Sequence, residues 1–162
     1  MRTLYNPEVV KPMWKELADI GVQPLTTAEE VERVMSDARG TIMIVVNSVC
    51  GCAAGNARPG VAVALQNKVI PDHLYTVFAG VDREATQIAR EYMTGMTPSS
   101  PSVGLFKDGK LVYMLHRRQI EMMDIDGVAA ELVRAFNDHC SAPGPSVPLE
   151  VMAKAFNMSF GD

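Results

Sequence analysis

The run TIMIVVN at residues 41–47 has no polar residue alternating with its apolar ones. A strand with that pattern is buried on both faces, so the sheet containing it needs helices above and below. That requirement excludes an all-helical bundle and a sheet with one wet face. The neighbouring segments supply the helices. Asn6 and Pro7 read as the cap and first turn of a helix running to about Asp19, with Gly21 as its stop. Thr27 and Glu30 read as a capping box for a helix carrying Val31, Val34 and Met35 inward and ending at Gly40. Beyond the apolar run, Val61, Ala64, Leu65 and Lys68 recur at helical spacing.

A second strand is predicted over LYTVFA at 74–79, and Asp82 is placed to cap a helix with Ala85, Ile88, Ala89 and Tyr92 on one face. The loop TPSSP at 97–101 leads to the strand SVGLF at 102–106, and KDGK at 107–110 is a hairpin turn returning through LVYMLH at 111–116. Asp124 opens a last long helix with Val128, Leu132, Phe136 and Cys140 on its apolar stripe. From residue 41 the order is βαβ followed by ββα, the core of a thioredoxin-like fold. The expected architecture is α/β, a central mixed β-sheet flanked by helices on both faces. Residues 1–140 form the domain, with 1–39 as an N-terminal helical extension. Residues 141–162, opening on SAPGPS, form a linker and a short C-terminal helix or tail, with an amphipathic stretch from Leu149 to Phe156.

Net charge narrows the partners. At 162 residues, net charge -4 and pI 5.4, with Lys and Arg scattered, nothing favours nucleic acid or an anionic membrane. No window approaches the roughly 20 apolar residues of a membrane span, and the first residues are broken by Pro7, Pro12 and charges, unlike a secretory signal. The expected location is cytoplasmic, where structural disulfides are rare and neighbouring cysteines serve catalysis, redox chemistry or metal binding. Of the three cysteines, Cys50 and Cys52 are separated only by Gly51, and Cys140 stands alone.

The pair follows the buried strand and precedes a helix, so Cys50 is expected where the strand ends and a helix N-terminus begins. Unpaired N–H groups and a partial positive charge there favour thiolate over thiol, and the thiolate is the nucleophile of disulfide exchange. Side chains two apart in a helix do not face each other. A Cys50–Cys52 disulfide therefore takes the turn out of regular helix, with Gly51 giving the backbone freedom. The expected bond is strained and readily reduced, suited to an isomerase or a carrier of mixed disulfides. Two other readings stand beside this one: a pair of small buried residues, and a metal site. Zinc wants four ligands in a tetrahedron, and only His139 and Cys140 remain as evident partners.

The stretch NSVCGCAAGNARPG at 47–60 resembles the signature of the bacilliredoxins, thioredoxin-like bacterial proteins with a Cys-Gly-Cys site. The likeness extends over roughly residues 5 to 140 and includes the Asn-Pro start, the Thr-Ala-Glu-Glu cap and the His-Cys end. It implies removal of bacillithiol, a small cysteine-containing thiol, from protein mixed disulfides. Cys50 would take the bacillithiol group and free the client thiol. Cys52 would resolve or modulate, or free bacillithiol with its reductase would discharge Cys50. Bacillithiol is then a co-substrate, and no metal or organic cofactor is implied. The expected partners are bacillithiolated client proteins, bacillithiol and its reductase, with no nucleic acid and no membrane. A general disulfide isomerase or reductase without bacillithiol specificity, and a non-enzymatic metal-binding or scaffold module, are the alternatives.

Further residues carry expectations. Pro101 is matched to the cis-proline that faces the cysteine motif in thioredoxin-like proteins, with Pro98 as a competitor, and Ser100 would offer its backbone to an incoming chain. Gly51 joins them as a substrate-binding position. Arg58 is a candidate for bacillithiol's carboxylates, weighed against a structural role. His116, Arg117 and Arg118 read as a solvated basic edge, Trp14 as a packing residue, Cys140 as core, and the eleven methionines as core filler.

Overall fold

The computed structural model of the chain describes residues 2–37 and 39–160. Residues 1, 38, 161 and 162, which belong to the stretches read as N-terminal extension and tail, lie outside the described residues.

Helix α1 spans Pro7–Ala18, with Asn6 Oδ1 accepting from the Glu8 N–H at 2.9 Å. It leads to a two-residue strand β1, Gln23–Pro24, then helix α2, Ala28–Ser36. Thr27 Oγ1 accepts from the Glu30 N–H, while Glu30 Oε1 reaches back to the Thr26 N–H rather than to that of Thr27. Strand β2, Thr41–Asn47, is buried at every position. A π-helical turn, Ala53–Ala57, precedes helix α3, Arg58–Ala64. Strand β3, Val69–Ile70, and strand β4, His73–Phe78, lead to helix α4, Arg83–Tyr92. Strands β5, Ser102–Lys107, and β6, Lys110–Leu115, form the expected hairpin, its Asp108 and Gly109 both at positive φ. Helices α5, Arg117–Glu121, and α6, Ile125–His139, a strand β7, Ala142–Pro143, and helix α7, Leu149–Ala155, complete the chain.

The main sheet has the order β1-β4-β2-β5-β6. Strand β2 runs parallel to β4 on one side and antiparallel to β5 on the other. The sheet is therefore mixed and β2 is central, which is why its sequence shows no alternation. Its side chains still alternate physically. Ile42, Ile44 and Val46 pack with residues of α2 and α4, whereas Met43 and Val45 pack with α1, α3, α6 and α7. Helices thus cover both faces of a thioredoxin-like βαβ-ββα core.

Three expectations change here. The N-terminal segment is more than a helical extension, because β1 pairs in parallel with Tyr75 and Thr76 at the sheet edge. Two residues, one of them Pro24, are too few to show a period, although the flanking Val22 and Leu25 are buried. Lys68 is exposed and lies beyond α3. The Pro- and Gly-rich start of the tail is regular where β7 pairs with β3, and α7 docks by Met152, 1% exposed in the core beneath α6. Met152→Ala is expected to cost about 2–4 kcal/mol, read as a lowered urea midpoint with an unchanged slope. A loss below about 0.5 kcal/mol would mean that α7 is only laid on the surface.

Asp82 stands at the N-cap position of α4, but its side chain accepts no capping hydrogen bond. Burial pushes its carboxyl up from 3.8 to about 6, opposed by a backbone hydrogen bond at Phe78 and helped by the Glu30 charge. A carboxyl with a folded-state pKa above its unfolded value binds its proton more tightly in the native state. The contribution of Asp82 to stability is then fully present below about pH 4 and is lost as pH rises through 6. Asp82→Asn should raise the Tm at pH 7.5 and leave it nearly unchanged at pH 4. An equal gain at both values would count against burial as the cause.

Candidate active site

The cysteine turn leaves the end of β2 through two polar residues. Asn47, fully buried, donates through Nδ2 to the Met13 carbonyl at 3.0 Å and accepts at Oδ1 from the Ser48 N–H at 2.8 Å. Ser48 Oγ accepts from the Cys50 N–H at 3.1 Å. The Cys50 carbonyl then accepts from the N–H groups of Ala53 and Ala54, so helical geometry begins at Cys50, as the sequence implied. Cys50 and Cys52 are joined as a disulfide with their Cα atoms 5.4 Å apart, and the Cys52 N–H points to Cys50 Sγ at 3.3 Å. Both residues are partly exposed.

The wider π-helical turn that follows has a local cause. Pro59 has no N–H to give the Gly55 carbonyl and its ring would crowd that group. The Arg58 N–H bonds to Ala53 instead, five residues back. Such turns recur at functional sites. Asn56 on this turn donates to the Ile120 carbonyl at 3.1 Å, which ties the cysteine segment to α5.

Arg58 is only 4% exposed. Its Nε pairs with Glu16 of α1 at 2.5 Å, and its Nη1 donates to Asn47 Oδ1 at 3.0 Å and to the Ser48 carbonyl at 3.1 Å. The guanidinium is committed to the turn below the sulfurs, so the substrate-binding role expected for Arg58 gives way to a positioning one. Gly51 is exposed, has no positive φ, and a Cβ added there meets nothing within 4 Å. The turn does not require glycine for its backbone. The missing side chain leaves open surface beside the sulfurs.

The Ser100–Pro101 bond is cis, and Pro98 is not part of a cis bond. Ser102 pairs with Val46 across β5 and β2, so Pro101 and Ser100 continue past that pair at the end of β2 from which the cysteine turn departs. Pro101 is buried and Ser100 half-buried. The Ser100 carbonyl already accepts from Arg117 Nη1 at 3.2 Å, and the Arg117 N–H bonds to Ser99 Oγ. An incoming chain that pairs with the Ser100 carbonyl meets this guanidinium, and must share that oxygen with it or displace it. His116, Arg117 and Arg118 therefore do more than edge the sheet. They start α5, with His116 at its N-cap and Arg117 Nε paired to Glu121 at 2.6 Å. The five-residue helix carries no long apolar period, so only the Gln119 side chain bonded to the His116 N–H marked it as helical.

Cys140 lies at the opposite end of the sheet. It ends α6 beside Thr41 and Asp72, at the start of β2, and burial pushes its thiol up. Six strand steps of about 3.3 Å put it roughly 20 Å from the cysteine turn. It packs against the core as expected. Among the described residues no three His, Cys, Asp or Glu side chains are grouped to hold a metal ion. No described helix is long and apolar enough to cross a membrane. Asn47, Ser48, Glu16 and Arg117 are site residues that sequence reasoning missed. The one polar residue ending an apolar strand, Asn47, was the available signal.

Comparison with known proteins places these features in a family. Residues 5–140 match the family model described as disulphide isomerase. A bacilliredoxin of Halalkalibacterium halodurans is 48% identical over 136 residues, covering 84% of this chain and 94% of that one. A bacilliredoxin of Staphylococcus aureus is 50% identical over 137 residues, covering 85% and 94%. Among solved structures, mitochondrial thioredoxin 3 of Saccharomyces cerevisiae in its oxidized form aligns with a TM-score of 0.49 at 20% identity, covering 75% of this chain and 98% of that one.

Proposed function

Because the chain belongs to the disulphide isomerase family of bacilliredoxins, and is a thiol-disulfide oxidoreductase, we propose that it removes bacillithiol from protein mixed disulfides with Cys50 as nucleophile. The observation that carries this reading is the pair of partly exposed sulfurs at a strand-to-helix turn, beside the cis-Pro101 loop. Cys50 precedes Cys52 at the helix start, where backbone N–H groups and the helix dipole favour its thiolate.

In the first step the Cys50 thiolate attacks the bacillithiol sulfur of the client's mixed disulfide. The sulfur–sulfur bond to the client breaks, and the client thiolate leaves and takes a proton from solvent. Bacillithiol is then bonded to Cys50. In the second step the Cys52 thiolate attacks Cys50 Sγ, bacillithiol leaves as a thiolate, and a Cys50–Cys52 disulfide forms, the state seen in the structure. Two electrons must return this disulfide to two thiols, and free bacillithiol with its reductase supplies them. Alternatively, free bacillithiol discharges Cys50 directly and Cys52 only modulates. Gly51 leaves room for the cap, while Ser100 and Pro101 border the approach. Neither route calls on a metal or an organic cofactor, and the chemistry suits a reducing cytoplasm.

The test compares one client protein carrying either bacillithiol or glutathione as its mixed disulfide, with thiol release followed by mass spectrometry. Faster release of bacillithiol by tenfold or more is expected. Equal rates on the two would make the protein a general disulfide reductase instead.

A further inference from the structure

With Arg58 committed to the turn, a carboxylate that the protein is to hold near the cysteines needs another cation. A cavity of about 490 Å³ lies between α4 and the loop before β5, lined by Gly80, Arg83, Thr86, Arg90 and Pro98, with exposed Glu91 at its mouth. Its volume suits a small ligand group. It opens at the cysteine end of the sheet. The Ala79 N–H bonds to the Asn47 carbonyl one residue before Gly80, and Pro98 is three residues before cis-Pro101.

The side chains inside are unsatisfied. Arg90 is half-buried, and among the described residues no carboxylate lies within ion-pair distance of it. Among the described residues its only hydrogen bond is a long one, Nη2 to the Ser99 carbonyl at 3.4 Å. Its Nε is buried without a partner, and so is Oγ1 of Thr86, a residue 3% exposed and one helical turn away on the same face of α4. Burial already presses on the Arg90 guanidinium. A buried cation and hydroxyl without partners are costly unless an acceptor arrives. Glu91 also lines the cavity, but it is exposed to water and among the described residues makes no ion pair with Arg90. Arg83 Nη1 is held by the Arg2 carbonyl at the cavity wall and adds positive charge there.

We propose that this cavity is an anion subsite in which Arg90, with Thr86, receives a carboxylate of the group being transferred. Its identification with a carboxylate of bacillithiol rests on the reading above, whereas the anion subsite itself does not. Arg90 Nε and Thr86 Oγ1 are closed to solvent in the structure, so binding turns the Arg90 side chain to present its fork, and with it the Thr86 hydroxyl, to the carboxylate. Through Ser99, Arg90 also holds the loop that carries cis-Pro101, so occupancy and loop position are linked.

Two measurements test this. Succinate titrated calorimetrically into reduced Cys50→Ser protein should bind saturably, and Arg90→Met should abolish the heat while Arg90→Lys restores part of it. In turnover, the ratio of kcat/KM for a bacillithiolated client to that for uncharged hydroxyethyl disulfide should fall about ten- to a hundredfold in Arg90→Met, the loss of one charge-assisted hydrogen bond. Thr86→Val should lower it several-fold. An unchanged ratio, or succinate binding that survives Arg90→Met, overturns the proposal. A wild-type enzyme that binds succinate through Arg90 but does not prefer bacillithiol keeps the anion subsite and removes only the identity of its ligand.

Discussion

Cys50→Ala is expected to lose thiol release from a bacillithiolated client by on the order of a thousandfold or more, because Cys52, the other thiol of the site, acts in the proposed route only on Cys50 Sγ. The third thiol, Cys140, ends α6 at the far end of β2 and is half-buried. Cys52→Ala should keep the first step and stall the second, so that bacillithiol stays on Cys50 until free thiol is added. Cys140→Ala should release thiol at the wild-type rate. Stopped-flow assays of the three variants on one client separate these behaviours. A Cys50→Ala protein within tenfold of wild type would remove the nucleophile from the account.

Arg58→Met carries the second large effect. The guanidinium joins three segments, α1 through Glu16, β2 through Asn47, and the turn through the Ser48 carbonyl. Removing one partner of a buried charged network leaves the others desolvated and unpaired, typically at about 3–5 kcal/mol. Glu16 is 26% exposed at its side chain and recovers some hydration, so about 3 kcal/mol is expected here, read from urea unfolding. Arg58→Lys keeps the charge but loses the fork and should fall between the two. If Arg58 instead held a ligand's carboxylate, Arg58→Met would unfold at the wild-type midpoint and show only a raised KM.

What could be read from the sequence was whatever had a period or a cap. The unalternating run at 41–47 gave the central strand, and Asn6, Thr27 and Asp124 marked helix starts that the structure makes with their side chains. Elements too short to repeat escaped. Strands β1, β3 and β7 have two residues each and are set by pairing partners distant in sequence, and α5 has five residues. The π-helical turn follows from the missing N–H of Pro59, which marks an interruption in sequence but not its form. At the site, the cysteine pair was legible as a local signal, and cis-Pro101 through the resemblance of its segment to that of thioredoxin-like proteins. The partners of Arg58 were not, since Glu16 lies 42 residues away. Arg117, 17 residues from Ser100, was hidden in the same way, and so was the cavity, whose walls come from α4 and a loop.

The central claim is that Cys50 receives the transferred thiol. Its most direct test is peptide mass mapping of Cys52→Ala protein quenched with acid after mixing with a bacillithiolated client. The bacillithiol mass is expected on the peptide containing Cys50, with none on that containing Cys140 and no adduct in Cys50→Ala. Bacillithiol found on Cys52 in the Cys50→Ala protein at the wild-type rate, or on Cys140 in either variant, would contradict it.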